Sequence, residues 1–286
     1  MDLYLLRTLP IGHAVEFGLN LPFATVAWHV LRRTNTQFPE DPLDFTGSVV
    51  VHAQESAAPP ATYPARLLDL DRIQHGVTYY YRAYAYDGAT WTQSAIASIT
   101  PQPAFADFSL DPQTLVRDRL ILGLQDEVTA QRLRPTSGVI PVLTAPPQID
   151  ATSWPLVTVH LDADTAAERA IGEQLAADVR QSSDGDWRET EGWLSSVELS
   201  VIGWSQNADE RTALRHALKR QIIGNLPVFA AQGLITPEWS QRDSEDFTTF
   251  NAPVYQTVGT FRCLAPSSLT WTVPDITAVT VHGDAV

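Results

Sequence analysis

Two aspartates stand where a pair of carboxylates could do chemistry, directly after a short apolar pattern. The pattern PLVTVHLD covers residues 155–162 and predicts a strand, and Asp162 and Asp164 lie at its end. Glycoside hydrolysis needs two carboxyl groups that flank one cleft, so a carbohydrate-active enzyme is one hypothesis. Asp164 also precedes a helical pattern at 165–180, where an aspartate side chain caps the first turn. We favour the helix cap and keep the enzyme as the alternative.

An acidic segment offers a second set of carboxylates. Asp184, Asp186, Glu189 and Glu191 lie close together in the sequence, and such a cluster could bind calcium or supply an acid and a base. The spacing lacks the D-x-D-x-D-G order and the closing glutamate of a calcium loop. The sequence therefore favours a solvated loop here.

Motifs for nucleophilic, phosphate or metal chemistry are missing from the sequence. It has no G-x-S-x-G, G-x-x-x-x-G-K-[ST] or G-x-G-x-x-G pattern, and its seven histidines never show the H-x-x-x-H spacing of a metal site. Cys263 is the only cysteine, and it lies in an alternating apolar segment that predicts a small core residue. We expect no catalysis, no cofactor and no metal.

Aromatic residues are concentrated in GVTYYYRAYAYDGATW, residues 76–91. Alternation along a strand places Tyr79 and Tyr81 on one side and Tyr80, Tyr84 and Tyr86 on the other. These rings could stack on sugars or bases, although tyrosines at this spacing more often build and cover a sheet. We favour the structural role and expect only the outward set, Tyr80, Tyr84 and Tyr86, to face a partner.

A basic stripe and two tryptophans are candidates for a subunit interface. Arg211, Arg215 and Lys219 recur every fourth residue, so they share one face of a predicted helix. The stripe could be a solvated face, or it could meet an acidic loop on a second copy, where complementary charge would fix the register. Trp187 and Trp193 join this tentative interface because aromatic residues commonly anchor interfaces.

The composition limits the partners that we expect. The chain of 286 residues has a formal net charge of -14, and Lys219 is its only lysine, so a broad grip on nucleic-acid phosphates is not expected. No apolar run is long enough for a membrane helix, and the N-terminal segment lacks the pattern of a signal peptide. We expect a protein made in a cytoplasm and free of membranes.

The pattern of the first hundred residues predicts a series of short strands. Short apolar or alternating runs at 3–6, 14–19, 24–31, 49–53 and 63–68 precede the aromatic hairpin, with turn residues between them. This spacing predicts an all-β sandwich over residues 1–100.

Residues 73–88 resemble a strand pair of fibronectin type III domains, in which an apolar residue, a turn glycine and a tyrosine lead into an alternating strand. The resemblance implies that Tyr79 pins the preceding loop and that Tyr81 points inward. His75 stands where the family usually has proline, and Trp28 would take the place of its early-strand tryptophan.

The second part mixes helices and strands. A proline-rich linker at 101–110 precedes an α+β domain at 111–286. Asp111 and Pro112 begin a helix that we expect to reach about residue 133. The further expected elements are an edge or loop at 135–149, the strand at 155–162, a helix at 165–180, a strand at 194–204, a helix at 207–225 ended by Gly224 and Asn225, and a β-rich end.

This second part is similar to the tail terminator and tail completion proteins of long-tailed bacteriophages. The segments at 154–162, 194–222 and 257–271 carry the similarity through the order of their elements. It implies a structural virion protein without catalysis, which forms a homo-oligomeric ring, commonly of six copies, at the head-tail junction. Such a ring caps the tail tube and docks the head-side connector.

The same resemblance implies how the parts are used. DNA passes through the ring without specific binding, and the protein assembles in the bacterial host cytoplasm into the neck of the virion. The sandwich would contact sheath, collar or fibre proteins. The alternative hypothesis is a carbohydrate-binding module or glycoside hydrolase with an accessory fibronectin-like domain.

Overall fold

A computed structural model describes residues 1–22, 25–55, 66–146, 153–167, 178–181, 185–246 and 253–273. Contacts within the chain divide these residues into two compact units. Unit 1 consists of the described residues of 1–106, 179–189 and 270–273, and unit 2 consists of those of 107–178 and 190–269. The first boundary falls inside the predicted linker 101–110, but the segments 179–189 and 270–273 group with unit 1, outside the predicted bounds.

Unit 1 contains two antiparallel sheets. Its strands are β1 (Asp2–Thr8), β2 (Val15–Asn20), β3 (Ala27–Arg33), β4 (Val49–Glu55), β5 (Leu67–Asp69), β6 (Tyr79–Tyr86), β7 (Trp91–Gln93) and β8 (Ala97–Ile99). One sheet has the order β1-β2-β5, and the other has the order β4-β3-β6-β7, with β8 also paired to β6. The strands predicted from alternation are therefore present among the described residues.

The two sheets share one hydrophobic core. Phe17 of β2, Trp28 and Val30 of β3 and Tyr81 of β6 are all buried in it, and Tyr79 lies at its edge with only 5% of its surface exposed. The Tyr79 hydroxyl accepts a hydrogen bond from a backbone N–H of the preceding loop and donates to a carbonyl there. The predicted loop contact of Tyr79 and the inward position of Tyr81 are confirmed.

A buried ion pair joins β3 to β5 beside this core. The Arg32 guanidinium donates to both carboxylate oxygens of Asp69 at 2.8 and 2.7 Å, and the Tyr81 hydroxyl donates to the same carboxylate at 2.9 Å. The side chains of Arg32 and Asp69 are only 6% and 1% exposed. Burial raises the pKa of Tyr81, and the adjacent Asp69 carboxylate raises it further, so this hydroxyl stays protonated.

Unit 2 is built around one long sheet with two helices. Its elements, some of which extend past the unit's bounds, are β9 (Ala106–Asp107), α1 (Pro112–Thr129), β10 (Val142–Leu143), β11 (Leu156–Ala166), β12 (Asp178–Gln181), β13 (Trp187–Ser205), α2 (Ala208–Ala231), β14 (Ile235–Asp246) and β15 (Val254–Val273). The main strand order is β10-β11-β13-β15-β14, with β12 paired to β13 and β9 paired to β15.

Both helices cover the same face of this sheet. Leu120 and Leu124 of α1 and Leu218 of α2 pack with Leu199 of β13 and Phe261 of β15 in one buried cluster. The opposite face carries a smaller cluster formed by Leu156, Trp204 and Val254. The sheet therefore has one face closed by helices and a second face with little apolar cover.

The two helices touch through a small residue and a buried carboxylate. Gly123 of α1 lies against the side chain of Gln221, where any added Cβ would collide with it. Glu127, one turn along α1, accepts hydrogen bonds from Arg132 and Arg220 at 2.6 Å each. A side-chain contact at Gly123 and an ionic contact at Glu127 thus join the two helices.

The helix predictions are confirmed at their beginnings and corrected at their ends. Asp111 caps α1 by accepting from the Thr114 N–H, and Asn207 caps α2. However, α2 does not stop at Gly224 and Asn225: it continues through Pro227 to Ala231. Burial of Phe229 in the core favours the last turn and offsets the hydrogen bond that a proline cannot donate.

The helix predicted at 165–180 is wrong where the structure describes it. Thr165 and Ala166 belong to β11, and residues 178–180 belong to β12, while residues 168–177 lie outside the described residues. Asp164 is therefore a strand residue and not a helix cap. The strands β11 and β13 are also longer than predicted. Because β13 begins at Trp187, Glu189 and Glu191 lie on a strand and not in the predicted solvated loop, and Glu189 pairs with Arg7 at 3.0 Å.

Candidate functional site: an aromatic cleft and two sheet edges

An open cleft of about 1030 Å³ lies in unit 1 beside the strands β3, β4 and β7. Its walls include the aromatic side chains of His29, Phe45, Tyr86 and Trp91 and the apolar side chains of Leu43 and Val50. Leu43 and Phe45 belong to the loop between β3 and β4, and both are exposed to solvent. The cleft thus combines rings fixed on strands with apolar loop residues.

The rings of the cleft are in mutual contact. Tyr86 and Trp91 stack with their centroids 5.2 Å apart and their planes at 29°. Trp91 also lies 5.3 Å from the ring of His29, which Phe45 meets edge-on at 5.2 Å. We call this continuous group of rings, formed by His29, Phe45, Tyr86 and Trp91, the aromatic cleft.

His29 is the unusual member of the aromatic cleft. It is only 4% exposed, and its Nε2 is enclosed with no hydrogen-bond partner among the described residues. Burial lowers the pKa of His29, and a hydrogen bond to the Pro42 backbone raises it by less. The imidazole is therefore neutral at pH 7.

The structure corrects one of the predicted partner-facing tyrosines. Tyr84 is fully buried, because its ring stacks on His29 at 5.0 Å and its hydroxyl donates to the Pro39 carbonyl of the β3–β4 loop. Tyr80 and Tyr86 are half-buried. Of the predicted set, only Tyr86 belongs to the aromatic cleft, and neither His29 nor Trp91 was predicted as part of a site.

The two arginines of the basic stripe form ion pairs with carboxylates of the same chain. Arg211 pairs with Glu245 at 2.9 Å, and Arg215 pairs with Asp243 at 2.6 Å. Lys219 is exposed. Carboxylates of β14 thus balance the positive charges of both arginines. The role of these arginines in a subunit interface stays a prediction.

The two candidate interface tryptophans are exposed on β13. Trp187 and Trp193 expose 39% and 46% of their surfaces, and the Trp193 indole donates to the Ser195 hydroxyl at 3.1 Å. Trp204, on the same strand, is buried and donates to Thr158. Exposure of large rings is consistent with an interface role, which stays a prediction.

The candidate catalytic carboxylates do not flank a described cleft. Asp162 and Asp164 are exposed on β11, and Asp162 accepts a hydrogen bond from Ser200 of β13. Asp184 lies outside the described residues. Within the part of the chain that the structure describes, no group of three His, Cys, Asp or Glu side chains is placed to hold a metal ion.

Cys263 is a core residue, as predicted. It is buried on β15 in the cluster beneath the helices. Burial raises the pKa of its thiol to about 11, so little thiolate forms near neutral pH.

The sheet of unit 2 has two long edges without a neighbouring strand in the described residues. β14 pairs with β15 on one side only. β11 pairs with β10 only at Val157 and Thr158, and the Val159 carbonyl accepts from the Gln113 side chain. Beyond it, residues 160–166 have no strand on that side. Unpaired strand edges expose backbone groups that can bind a further strand.

No helix among the described residues has both the length and the apolar character needed to cross a membrane. The chain matches no protein-family model, and a search of curated proteins found no relative.

Proposed function

We propose that the chain is a structural virion protein of a tailed phage, of the tail-terminator or neck type. In this proposal unit 2 forms a homo-oligomeric ring at the head-tail junction, which caps the tail tube and docks the head-side connector without catalysis. The succession of α1, β11, β13, α2 and a β-rich end supports the proposed resemblance to this class, whereas the helix expected at 165–180 is strand wherever the structure describes it.

The observation that carries the proposal is that β14, and β11 beyond Val159, have no neighbouring strand on one side among the residues that the structure describes. β11 and β14 lie on opposite sides of the same sheet, separated by β13 and β15. A contact between β14 of one copy and β11 of the next uses two different surfaces. Such a head-to-tail contact repeats around an axis and closes into a ring when the rotation fits.

The edges are suited to selective pairing. β14 carries the exposed charges Glu238 and Arg242, in addition to Glu245, which Arg211 already pairs, and charged residues on an edge strand discourage pairing with an arbitrary strand. On β11, Asp162 and Asp164 are exposed. A partner strand must therefore match these charges, which favours a specific contact between copies.

The charge of the chain is compatible with a conduit for DNA. With a formal net charge of -14, the protein repels phosphates more than it attracts them. A ring that surrounds DNA without gripping it needs this balance.

Unit 1 supports the second part of the proposal, a fibronectin type III-like sandwich that contacts other virion proteins. The sheets β1-β2-β5 and β4-β3-β6-β7 share one core, and Tyr79 pins the loop before β6. The glycoside hydrolase alternative gains no support from the aromatic cleft, because Asp162 and Asp164 lie exposed on β11 and are not among the residues that line it.

Cross-linking of the two edges tests the proposed ring contact. In a Cys263→Ala background, Ser240→Cys marks β14 and Thr165→Cys marks β11; both native residues are exposed. With a short bismaleimide cross-linker, the double variant is expected to form a ladder of oligomers. The Ser240→Cys and Thr165→Cys single variants are the controls and should stay monomeric on denaturing gels. Dimers alone, or no cross-linked product from the double variant, would contradict the contact.

A further inference from the structure

The aromatic cleft of unit 1 has the features of a ligand site that the ring proposal does not use. Tyr86 and Trp91 form a stacked pair beside the open volume of about 1030 Å³. His29 borders it with an enclosed Nε2 that has no hydrogen-bond partner among the described residues. Because this nitrogen is enclosed, His29 contributes its ring to the wall of the cleft and not a hydrogen-bond acceptor for a ligand.

Some of the hydrogen-bonding groups around the cleft are already used within the chain. The Tyr86 hydroxyl donates to the Gly88 carbonyl at 2.8 Å, and the Trp28 indole donates to the Gln54 side-chain oxygen at 3.2 Å. The lining still offers the Trp91 indole N–H and the Gln54 amide N–H groups as donors, and the exposed carboxylate of Glu55 at the rim as an acceptor. A ligand that both donates and accepts hydrogen bonds therefore fits the cleft.

The charges of the cleft exclude an anionic ligand. Among its described lining residues there is no lysine or arginine, and the one side chain with a full charge is Glu55. A phosphate or sulfate would lack a counter-charge and would meet this carboxylate. The cleft suits a neutral molecule.

We propose that the aromatic cleft binds a neutral saccharide. A pyranose ring has an apolar face that stacks on the Tyr86–Trp91 pair, and its hydroxyls donate to Glu55 and accept from the Trp91 indole or the Gln54 amide. A proline-rich peptide also packs on aromatic rings, but prolines carry no backbone N–H, so such a peptide leaves the Glu55 carboxylate without a donor. This inference is independent of the ring proposed for unit 2.

Calorimetric titration of the full-length chain tests the saccharide site. The probes are maltohexaose, cellohexaose and the hexamer of N-acetylglucosamine, with a polyproline decapeptide and a sulfated oligosaccharide titrated alongside. We expect at least one neutral hexasaccharide to bind, and the peptide and the sulfated probe to bind more weakly or not at all. Absence of binding by all three neutral sugars, or stronger binding of the peptide, would overturn the proposal.

Variants locate the binding to the cleft. Trp91→Ala should weaken the binding of the sugar by about tenfold or more, whereas Trp193→Ala, which removes an exposed ring on β13, should leave it unchanged. Glu55→Ala alters only an exposed side chain and should also weaken binding of the sugar. It therefore tests the site even if the Trp91→Ala variant does not fold. Binding that survives both Trp91→Ala and Glu55→Ala would contradict the assigned site.

Discussion

Glu127 of α1 and Arg220 of α2 form a two-point ion pair that joins the helices of unit 2. Nη2 of Arg220 donates to Oε2 of Glu127 at 2.6 Å, and its Nε donates to Oε1 at 3.1 Å. Gln221 adds a third donor at 3.1 Å. Because the Glu127 side chain is only 1% exposed, this carboxylate depends on these partners for its solvation.

Replacing Glu127 should destabilise unit 2. Glu127→Gln removes the charge but keeps the size, so Arg220 and Arg132 lose their shared carboxylate. Because Arg220 and Arg132 are 48% and 53% exposed, they remain hydrated after the change, and the loss is that of charge-assisted hydrogen bonds, about 1.5–3 kcal/mol. Urea unfolding at pH 7 measures the loss; a midpoint equal to that of the wild type would refute the structural role of this residue.

The same carboxylate makes stability depend on pH. Hydrogen bonds from Arg220, followed by those from Arg132, lower the pKa of Glu127 from 4.5 to about 2. A lowered pKa in the folded state means that the stabilisation is complete above pH 4.5 and is lost as the pH falls towards 2. In the Glu127→Gln variant, the free energy of unfolding should therefore change less between pH 4.5 and pH 2 than it does in the wild type. Glu198→Gln, which alters an exposed ion pair with Arg262, is the matched control and should change this pH dependence little.

The buried pair of Arg32 and Asp69 should be equally important for unit 1. Asp69→Ala leaves the Arg32 guanidinium and the Tyr81 hydroxyl without their carboxylate, which costs about 3–5 kcal/mol. Asp71→Ala is the control, since the Asp71 side chain is 61% exposed and lies 3.9 Å from Arg32. Thermal unfolding followed by circular dichroism compares the two; similar midpoints for both variants would argue against the account.

Cys263 should be unreactive in the folded protein. Its thiol is buried and has its pKa raised to about 11, so neither access nor thiolate is available at pH 8. A colorimetric disulfide reagent should detect no thiol in the native chain and one thiol per chain in guanidinium. Rapid labelling of the native chain would show that the core around β15 opens.

The exposed tryptophans of β13 should contribute to assembly. Trp193→Ala and Trp187→Ala are expected to reduce the fraction of oligomer without lowering the unfolding temperature, because both rings are solvent-exposed in the single chain. Leu70→Ala removes another exposed apolar side chain, 65% exposed, and is the control. Sedimentation velocity at matched concentrations gives the oligomer fraction, and unchanged profiles for both tryptophan variants would remove them from the interface.

Local signals predicted much of this fold. Asp111 and Pro112 mark the start of α1 because capping involves only neighbouring residues. Strand alternation likewise placed Tyr79 and Tyr81 on one face, and the resemblance to fibronectin type III domains implied the inward position of Tyr81 that the core of unit 1 shows. The end of α2 was mispredicted because the burial of Phe229, a long-range contact, decides it against Pro227.

The candidate cleft depends on contacts that alternation does not reveal. His29 lies directly opposite Tyr84 in the β3–β6 register, and the loop between β3 and β4 then covers Tyr84 through Pro39. Period-two spacing correctly put Tyr84 on the face away from the core of unit 1, but it carries no information about a loop from another part of the chain. The hairpin sequence did contain Trp91, whose pairing opposite Tyr86 was the one local signal for the site.

The mass of the full-length protein in solution tests the central proposal most directly. Light scattering coupled to size exclusion, with negative-stain images of the same fraction, is expected to give a discrete multiple of the 31.5 kDa chain and rings with a central hole. A chain that remains a 31.5 kDa monomer at high concentration, with no rings in the images, would contradict the proposal that this protein assembles a ring through its own sheet edges.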